Sequence, residues 1–295
     1  MEIALQQGFN ALSVASILLL VGLGLAITFG LMRVINMAHG EFIMVGAYMT
    51  FGCAQIFKSN PNLSFFVAIP VAFLVTAALG WLLETTVISR LYGRPLDTLL
   101  ATWGVSLILQ QAARSIFGAQ NVDVTAPAVL SGQLTVGTLT MPYLRLFIIA
   151  LSIFCVAGTA FFLYKTQWGQ RIQAVMQNRE MAACLGISTR KVDALAFSLG
   201  SGLAGIAGCA VALLGSIGSA TGNNYIVDAF MTVVLGGVGS IAGTVAGAIG
   251  IGALGTGWET VTNASLGKVL AFICVIAFLQ WKPAGLVAAK SRALD

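Results

Sequence analysis

Eight mostly apolar runs, at about 9–32, 42–57, 65–88, 96–116, 143–164, 194–214, 225–252 and 265–281, follow one another along this 295-residue chain. A helix rises 1.5 Å per residue, so about 20 residues cross a hydrocarbon layer of roughly 30 Å. In hydrocarbon every backbone N–H and C=O must be satisfied within the protein, which leaves helices for segments of this length. Only 8% of the residues are charged, against about 25% in an ordinary soluble domain. The gaps between runs leave no room for a large soluble domain. The expected fold is all-α: a polytopic membrane protein with a single transmembrane domain over 1–295.

The opening MEIALQQGFN has no basic stretch and carries Glu2, so it reads as retained and not as a cleaved leader. Four of the five cysteines, Cys53, Cys155, Cys209 and Cys274, lie inside apolar runs, and Cys184 lies in a polar one. Neither a disulfide framework nor metal-ligand spacing results. The formal charge of +5 would suggest nucleic acid in a soluble chain. Here the bases flank membrane runs, where anchoring on the cytoplasmic side explains them more simply.

Residues 118–142 carry Asp123, no Lys or Arg, and short β-branched alternation, which reads as an ordered external loop. Residues 166–193 and Lys165 beside them form a loop rich in base, with Arg171, Arg179, Arg190 and Lys191, which places that loop in the cytoplasm. Arg90 and Arg94 fall on the same side; Lys58, Arg114 and Arg145 fall on the other and must snorkel or pair. If 225–252 crossed once, the tail with Lys282, Lys290 and Arg292 would lie outside, against the charge rule. An interruption at GGVGSIAG, 236–243, removes the conflict, because glycine lets the backbone leave helical geometry at membrane depth where protein or a cavity surrounds it. The stretch NMAHGE, 36–41, interrupts the other half in the same manner. Two interrupted segments suggest an internal repeat around a central binding path.

Asn36, His39 and Glu41 are the most informative residues. One reading puts them at membrane depth, where ionisable groups face the bundle interior and serve function. The other makes the stretch a first cytoplasmic loop, with Arg33 as its positive marker and Glu41 favouring the next helix N-terminus. In the fourth run Thr102, Ser106 and Gln110 stand at i, i+4, i+8 and form one polar stripe, able to bond a neutral solute or a neighbouring helix. Gly237, Gly239 and Ala242 match a dinucleotide-binding spacing, but no soluble strand precedes them and the flanks are membrane-like, so that reading is rejected. Gly243 with Gly247, Ser201 with Gly205, and Ala204 with Gly208 have the spacing of close helix contacts. Residues 170–185 predict a helix with Ile172, Val175 and Met176 on one face, ended by Gly186, which would dock on a soluble partner or lie on lipid. No nucleotide-binding motif, catalytic set or metal-ligand set occurs. A proton-coupled secondary transporter using His39 and Glu41 as a relay stays open alongside an ATP-driven one.

VINMAHGEFIMVGAY, LDTLLATWGVSLILQQ, NREMAACLGIS followed by LAGIAG, VVLGGVGSIAGTVAGA and WKPAG together resemble the permease subunits of ATP-binding-cassette importers of the branched-chain amino acid family. Within it, FGAQNVDV, ATGNNYIVDAFMTVVLGG and LGKVLAFICVIAFLQWKPAGL are most similar to the first of two urea permease subunits. The resemblance implies a multi-pass protein of the bacterial inner membrane. It would pair with a second homologous permease, bind two cytoplasmic ATPase subunits that hold ATP and Mg, and receive solute from an extracytoplasmic binding protein. It implies no cofactor in this chain and no nucleic acid. It puts Asn36, His39, Glu41, Thr102, Ser106, Gln110, Gly237 and Gly239 on or beside the translocation path. Arg179, Glu180, Ala182, Ala183 and Gly186 would form the ATPase-coupling loop, although Met181 departs from the family's fuller E-A-A pattern. The narrower resemblance implies urea as the expected cargo, and the polar, mostly uncharged groups Asn36, Thr102, Ser106 and Gln110 are compatible with a small neutral solute. Branched-chain amino acids or short amides are the alternative.

Overall fold

The computed structural model describes residues 2–32, 35–136 and 139–287; Arg33, Lys290 and Arg292, used above as charge markers, lie outside them. The eight apolar runs become nine helices. These are α1 (Glu2–Met32), α2 (His39–Ile56), α3 (Pro61–Thr86), α4 (Pro95–Phe117), α5 (Tyr143–Lys165), α8 (Thr189–Ala212), α9 (Thr221–Gly236), α10 (Ile241–Glu259) and α11 (Ala264–Trp281). Two short helices, α6 (Gln167–Gln177) and α7 (Arg179–Cys184), fill the basic loop. Six helices, α1, α3, α5, α8, α10 and α11, are long and apolar enough to cross a membrane. Proline at the first position of α3 and α4 starts each helix where an N–H would have no partner anyway.

α1 and α8 form the centre: 72% and 78% of their apolar windows are buried, against 17% for peripheral α11. Close approach depends on missing side chains. A Cβ on Gly46 of α2 would fall on the backbone of Gly205 in α8, one on Gly208 would fall on Ile43 and Ala47, and one on Gly24 of α1 would fall on Gly200. Gly243 and Gly247 of α10 lie equally tight on Gly236 and Thr232 of α9. The small-residue spacings read in the sequence are therefore helix contacts, which suits a medium that supplies no hydrophobic drive between helices.

The two ends of the bundle differ in charge. Arg90, Arg94, Lys165, Arg171, Arg179, Arg190, Lys191 and Lys282 sit at the end where α3, α5 and α11 finish and α4 and α8 begin, and the positive-inside rule makes this end cytoplasmic. At the opposite end Arg145 donates to Asn10 Oδ1 at 2.6 Å and Arg114 to Ser219 Oγ at 2.8 Å, so both arginines pair as required. That end also holds an antiparallel hairpin, β1 (Gln133–Val136) with β2 (Leu139–Pro142). It lies within the expected external loop, which a bridge between Val122 and Ile217 ties down.

The run 225–252 is divided as charge parity requires, but not at mid-depth. α9 and α10 form a helical hairpin whose turn holds Gly237 (φ 107°) and Gly239 (φ 82°). A Cβ on Gly30 near the end of α1 would fall on Gly239, beside Met176 of α6, so the turn lies at the cytoplasmic end. Lys282 then lies on the basic side.

Candidate functional site

The polar interruption before α2 lies deep in the bundle. His39, Glu41 and Asn36 are 0%, 0% and 1% exposed. His39 Nε2 donates to the carbonyl of Val21 at 3.1 Å, because a carbonyl can only accept. Val21 is eleven residues before the end of α1, about 16 Å along its axis. The chain thus leaves α1 at the cytoplasmic end, climbs back, and starts α2 near mid-depth. The first-loop reading of NMAHGE gives way to the membrane-depth reading.

The polar stripe of α4 faces this start. Glu41 Oε1 accepts from Ser106 Oγ at 3.0 Å and from Gln110 Nε2 at 2.8 Å, and Gln110 also donates to Ser106 Oγ at 3.2 Å. Thr102 Oγ1 accepts from the backbone N–H of Met37 at 3.2 Å. Asn36 Oδ1 accepts from the N–H of Ala38 at 3.0 Å. Both uses foreseen for the stripe involve the same atoms, and the helix-binding one is realised here. Among the described residues, three buried polar atoms of the seam have no hydrogen-bond partner: Asn36 Nδ2, His39 Nδ1 and Glu41 Oε2. A buried polar group of this kind costs about 1–3 kcal/mol while unsatisfied. On the other side of α2, Gly40 meets Gly222, near the start of α9, backbone to backbone.

Gly237 and Gly239 do not join the seam. Gly239 instead lines a cavity of about 650 Å³ at the cytoplasmic end, with Ile27 and Gly30 of α1, Ile172 and Met176 of α6, and Val234 of α9.

The basic loop departs from the expected single helix over 170–185. Asn178 adopts an extended conformation and its side chain accepts from the N–H of Met181 at 2.9 Å, so it ends α6 and caps α7. Ile172 and Val175 face inward and are buried, neither on lipid nor on offer to a partner. Gly186 (φ 80°) stops α7 as expected, with N–H bonds from Gly186 to Ala183 and from Ile187 to Ala182. Of the residues expected to couple, Glu180, Ala183 and Gly186 are exposed and Ala182 is buried. Arg179 is exposed too, with 42% of its side chain accessible, but its guanidinium is paired with the buried Asp193. The sequence reading missed Met181 and Leu185, exposed by 58% and 75%. Their i, i+4 spacing, an apolar pair on one face of a helix, was the available signal.

The sequence profile of the branched-chain amino acid transport system permease component matches residues 8–279. The high-affinity branched-chain amino acid transport system permease protein BraD of Pseudomonas aeruginosa is 28% identical, across 96% of this chain and 95% of its own length. The probable branched-chain amino acid transport permease protein LivH of Methanocaldococcus jannaschii is 29% identical, across 94% and 90%. The Escherichia coli permease protein LivM is 26% identical, across 76% of this chain and 57% of its own length. The names of these relatives speak of branched-chain amino acids, so the narrower likeness to urea permeases gains no support and the wider alternative does. With its all-α membrane architecture and a match over almost its whole length, this chain belongs to the branched-chain amino acid permease family of ATP-binding-cassette transport subunits.

Proposed function

We propose that this chain is one half of the membrane pore of an ATP-driven importer and passes a small solute of the branched-chain amino acid class along the α2–α4 seam. The observation that carries the reading is the wholly buried His39–Glu41 start of α2, level with Val21 and holding polar atoms without a protein partner. A helix that begins at mid-depth turns its N-terminal dipole inward, toward anionic or polar guests. The relationship to LivM, itself a permease protein, supports a second homologous subunit completing the pore. Exposed Met181 and Leu185 on the basic end suit a groove on cytoplasmic ATPase subunits, which would bind ATP and Mg. An extracytoplasmic binding protein would deliver solute at the opposite end. The largely aliphatic lining of the 650 Å³ cavity suits a leucine-sized side chain.

Urea is a second reading, favoured by one observation. Among the described residues no Lys or Arg side chain hydrogen-bonds to the seam, which offers amide, hydroxyl, imidazole and carboxyl groups but no cation for an amino acid carboxylate.

The test is uptake of labelled leucine and labelled urea by cells carrying the whole transport system, with and without this gene, before and after ATP depletion at a maintained proton gradient. ATP-dependent, gene-dependent leucine uptake supports the main reading and urea uptake the second. Uptake that survives ATP loss but collapses with the gradient would return the proton-coupled alternative. In either importer, His39→Ala and Asn36→Leu lower uptake at normal assembly.

A further inference from the structure

An ionic strut, exposed at its cation and buried at its carboxylates, lies at the cytoplasmic end of the bundle. Arg179, the first residue of α7, donates through Nη1 and Nη2 to Oδ1 and Oδ2 of Asp193 at 3.1 and 2.5 Å. Its guanidinium carbon lies 4.8 Å from the ring centre of Tyr92. The Tyr92 hydroxyl donates at 3.1 Å to Glu84 Oε1. Asp193, in the second turn of α8, and Glu84, in the last turn of α3, are both 0% exposed, and among the described residues Glu84 Oε2 has no partner. Arg90 and Arg190 border the same recess from exposed positions.

One partly exposed cation therefore holds the buried Asp193 of α8 directly and reaches Glu84 of α3 through the Tyr92 ring and hydroxyl. A buried carboxylate that loses its partner is far more costly than the pair was favourable, so α7 cannot shift alone without stranding Asp193. The forked geometry matters as well, since a lysine cannot bond both carboxylate oxygens in this plane. α8 continues the connection: its Gly205 and Gly208 lie against the backbone of α2 at Gly46, Ile43 and Ala47, and α2 begins at the polar seam. The α8–α2 joint is close-packed and the Arg179–Asp193 joint is held by two hydrogen bonds, so the two form a contiguous chain of contacts, as transmission of a displacement requires.

We propose that Arg179 is a positioning residue that converts movement of α7 into movement of α8 and α3, acting through Asp193 and Tyr92 and not through contact with an ATPase. The proposal rests on the importer reading above.

The test uses the complete complex, purified with its ATPase subunits and reconstituted with its binding protein in liposomes. Three quantities are read: ATPase retained on purification, ATP hydrolysed, and solute accumulated. Arg179→Ala, Arg179→Lys and Asp193→Asn are expected to keep the ATPase bound while solute moved per ATP falls about tenfold, with the lysine variant intermediate. Tyr92→Phe keeps the ring under the guanidinium and leaves the Arg179–Asp193 bonds intact while removing the bond to Glu84; a two- to threefold loss is expected. The exchange Arg179→Asp with Asp193→Arg restores part of the coupling. Loss of ATPase retention in Arg179→Ala, with normal coupling in Asp193→Asn and Tyr92→Phe, would overturn the proposal in favour of direct contact. Wild-type complex that retains no ATPase, or transports without ATP, overturns the importer reading itself and is distinguishable because no variant is involved.

Discussion

Gln110 of α4 donates a 2.8 Å hydrogen bond to Glu41 of α2, across 69 residues of sequence. With Ser106 it accounts for the two hydrogen bonds to that carboxyl group among the described residues, both on the same oxygen. α4 packs chiefly on α2 and presents Leu96, Leu100, Trp103 and Ile108 outward, so the seam is its main anchorage.

Gln110→Ala removes one of two donors from a buried acceptor and is expected to lower stability by about 1–3 kcal/mol. Thermal unfolding in detergent reads this directly. Ser106→Ala and Gln110→Ala share one acceptor, so the double variant deviates from the sum of the singles. Strict additivity would show that the two bonds are independent and that Glu41 does not organise the seam.

Two glycines of α2 predict opposite outcomes. Gly46 has the backbone of Gly205 where a Cβ would stand, whereas Gly52 has nothing within 4 Å. Gly46→Ala must force α2 and α8 apart and is expected to cost at least about 3 kcal/mol, seen as loss of monodisperse protein. Gly52→Ala is expected to be neutral or to gain up to about 1 kcal/mol from helix propensity. Equal effects at the two sites would mean that the helix approach is looser than described.

The all-α membrane architecture was legible because composition and run length decide it, although among the described residues six helices and not eight are long and apolar enough to cross. The hairpin of α9 and α10 was legible because Lys282 had to end on the basic side. The start of α2 was legible only as a pair of alternatives. His39 and Glu41 look alike in a loop and at mid-depth, and the bond to Val21 that separates the two comes from packing. The hidden break at Asn178 has a local cause, since Asn caps a helix as readily as it sits within a polar loop. The Glu84–Tyr92–Arg179–Asp193 strut was not legible, because charge at the ends of apolar runs is ordinary and only the fold brings these four together. Period analysis found the apolar face of α6 but could not say that its partner is the protein's own interior.

The exposed pair on α7 yields a separable effect. Met181→Asp and Leu185→Asp place charge on a face that makes no core contact, so insertion and expression are expected to stay normal. Retention of ATPase subunits on purification is expected to fall at least tenfold, as for central apolar anchors of an interface. Gly186→Val acts differently: φ 80° suits glycine, and the substitution costs about 1–2 kcal/mol at the end of α7. Together with Ala183→Trp it is expected to uncouple transport while the protein stays inserted. Full ATPase retention in the Asp variants would move the contact surface elsewhere.

The C-terminal segment supplies the last expectation. Leu286 and Val287 donate their N–H groups to the carbonyls of Leu235 and Gly236 at 2.8 and 2.9 Å. Those carbonyls lie in the final turn of α9, where no helical N–H remains to meet them. Gly285 (φ 77°) brings the tail in so closely that a Cβ would stand 2.7 Å from the Gly237 nitrogen. Gly285→Val should therefore lose both backbone bonds and strain the turn, at about 2–4 kcal/mol in sum. The α9–α10 turn, which abuts Gly30 and Met176, would open to proteolysis over 237–240 at a concentration that spares the wild type. Leu286→Ala keeps the backbone bonds and is expected to resist cleavage like the wild type. Equal resistance in Gly285→Val would show that α9 ends stably without the tail, and that the segment lies on the bundle without holding it.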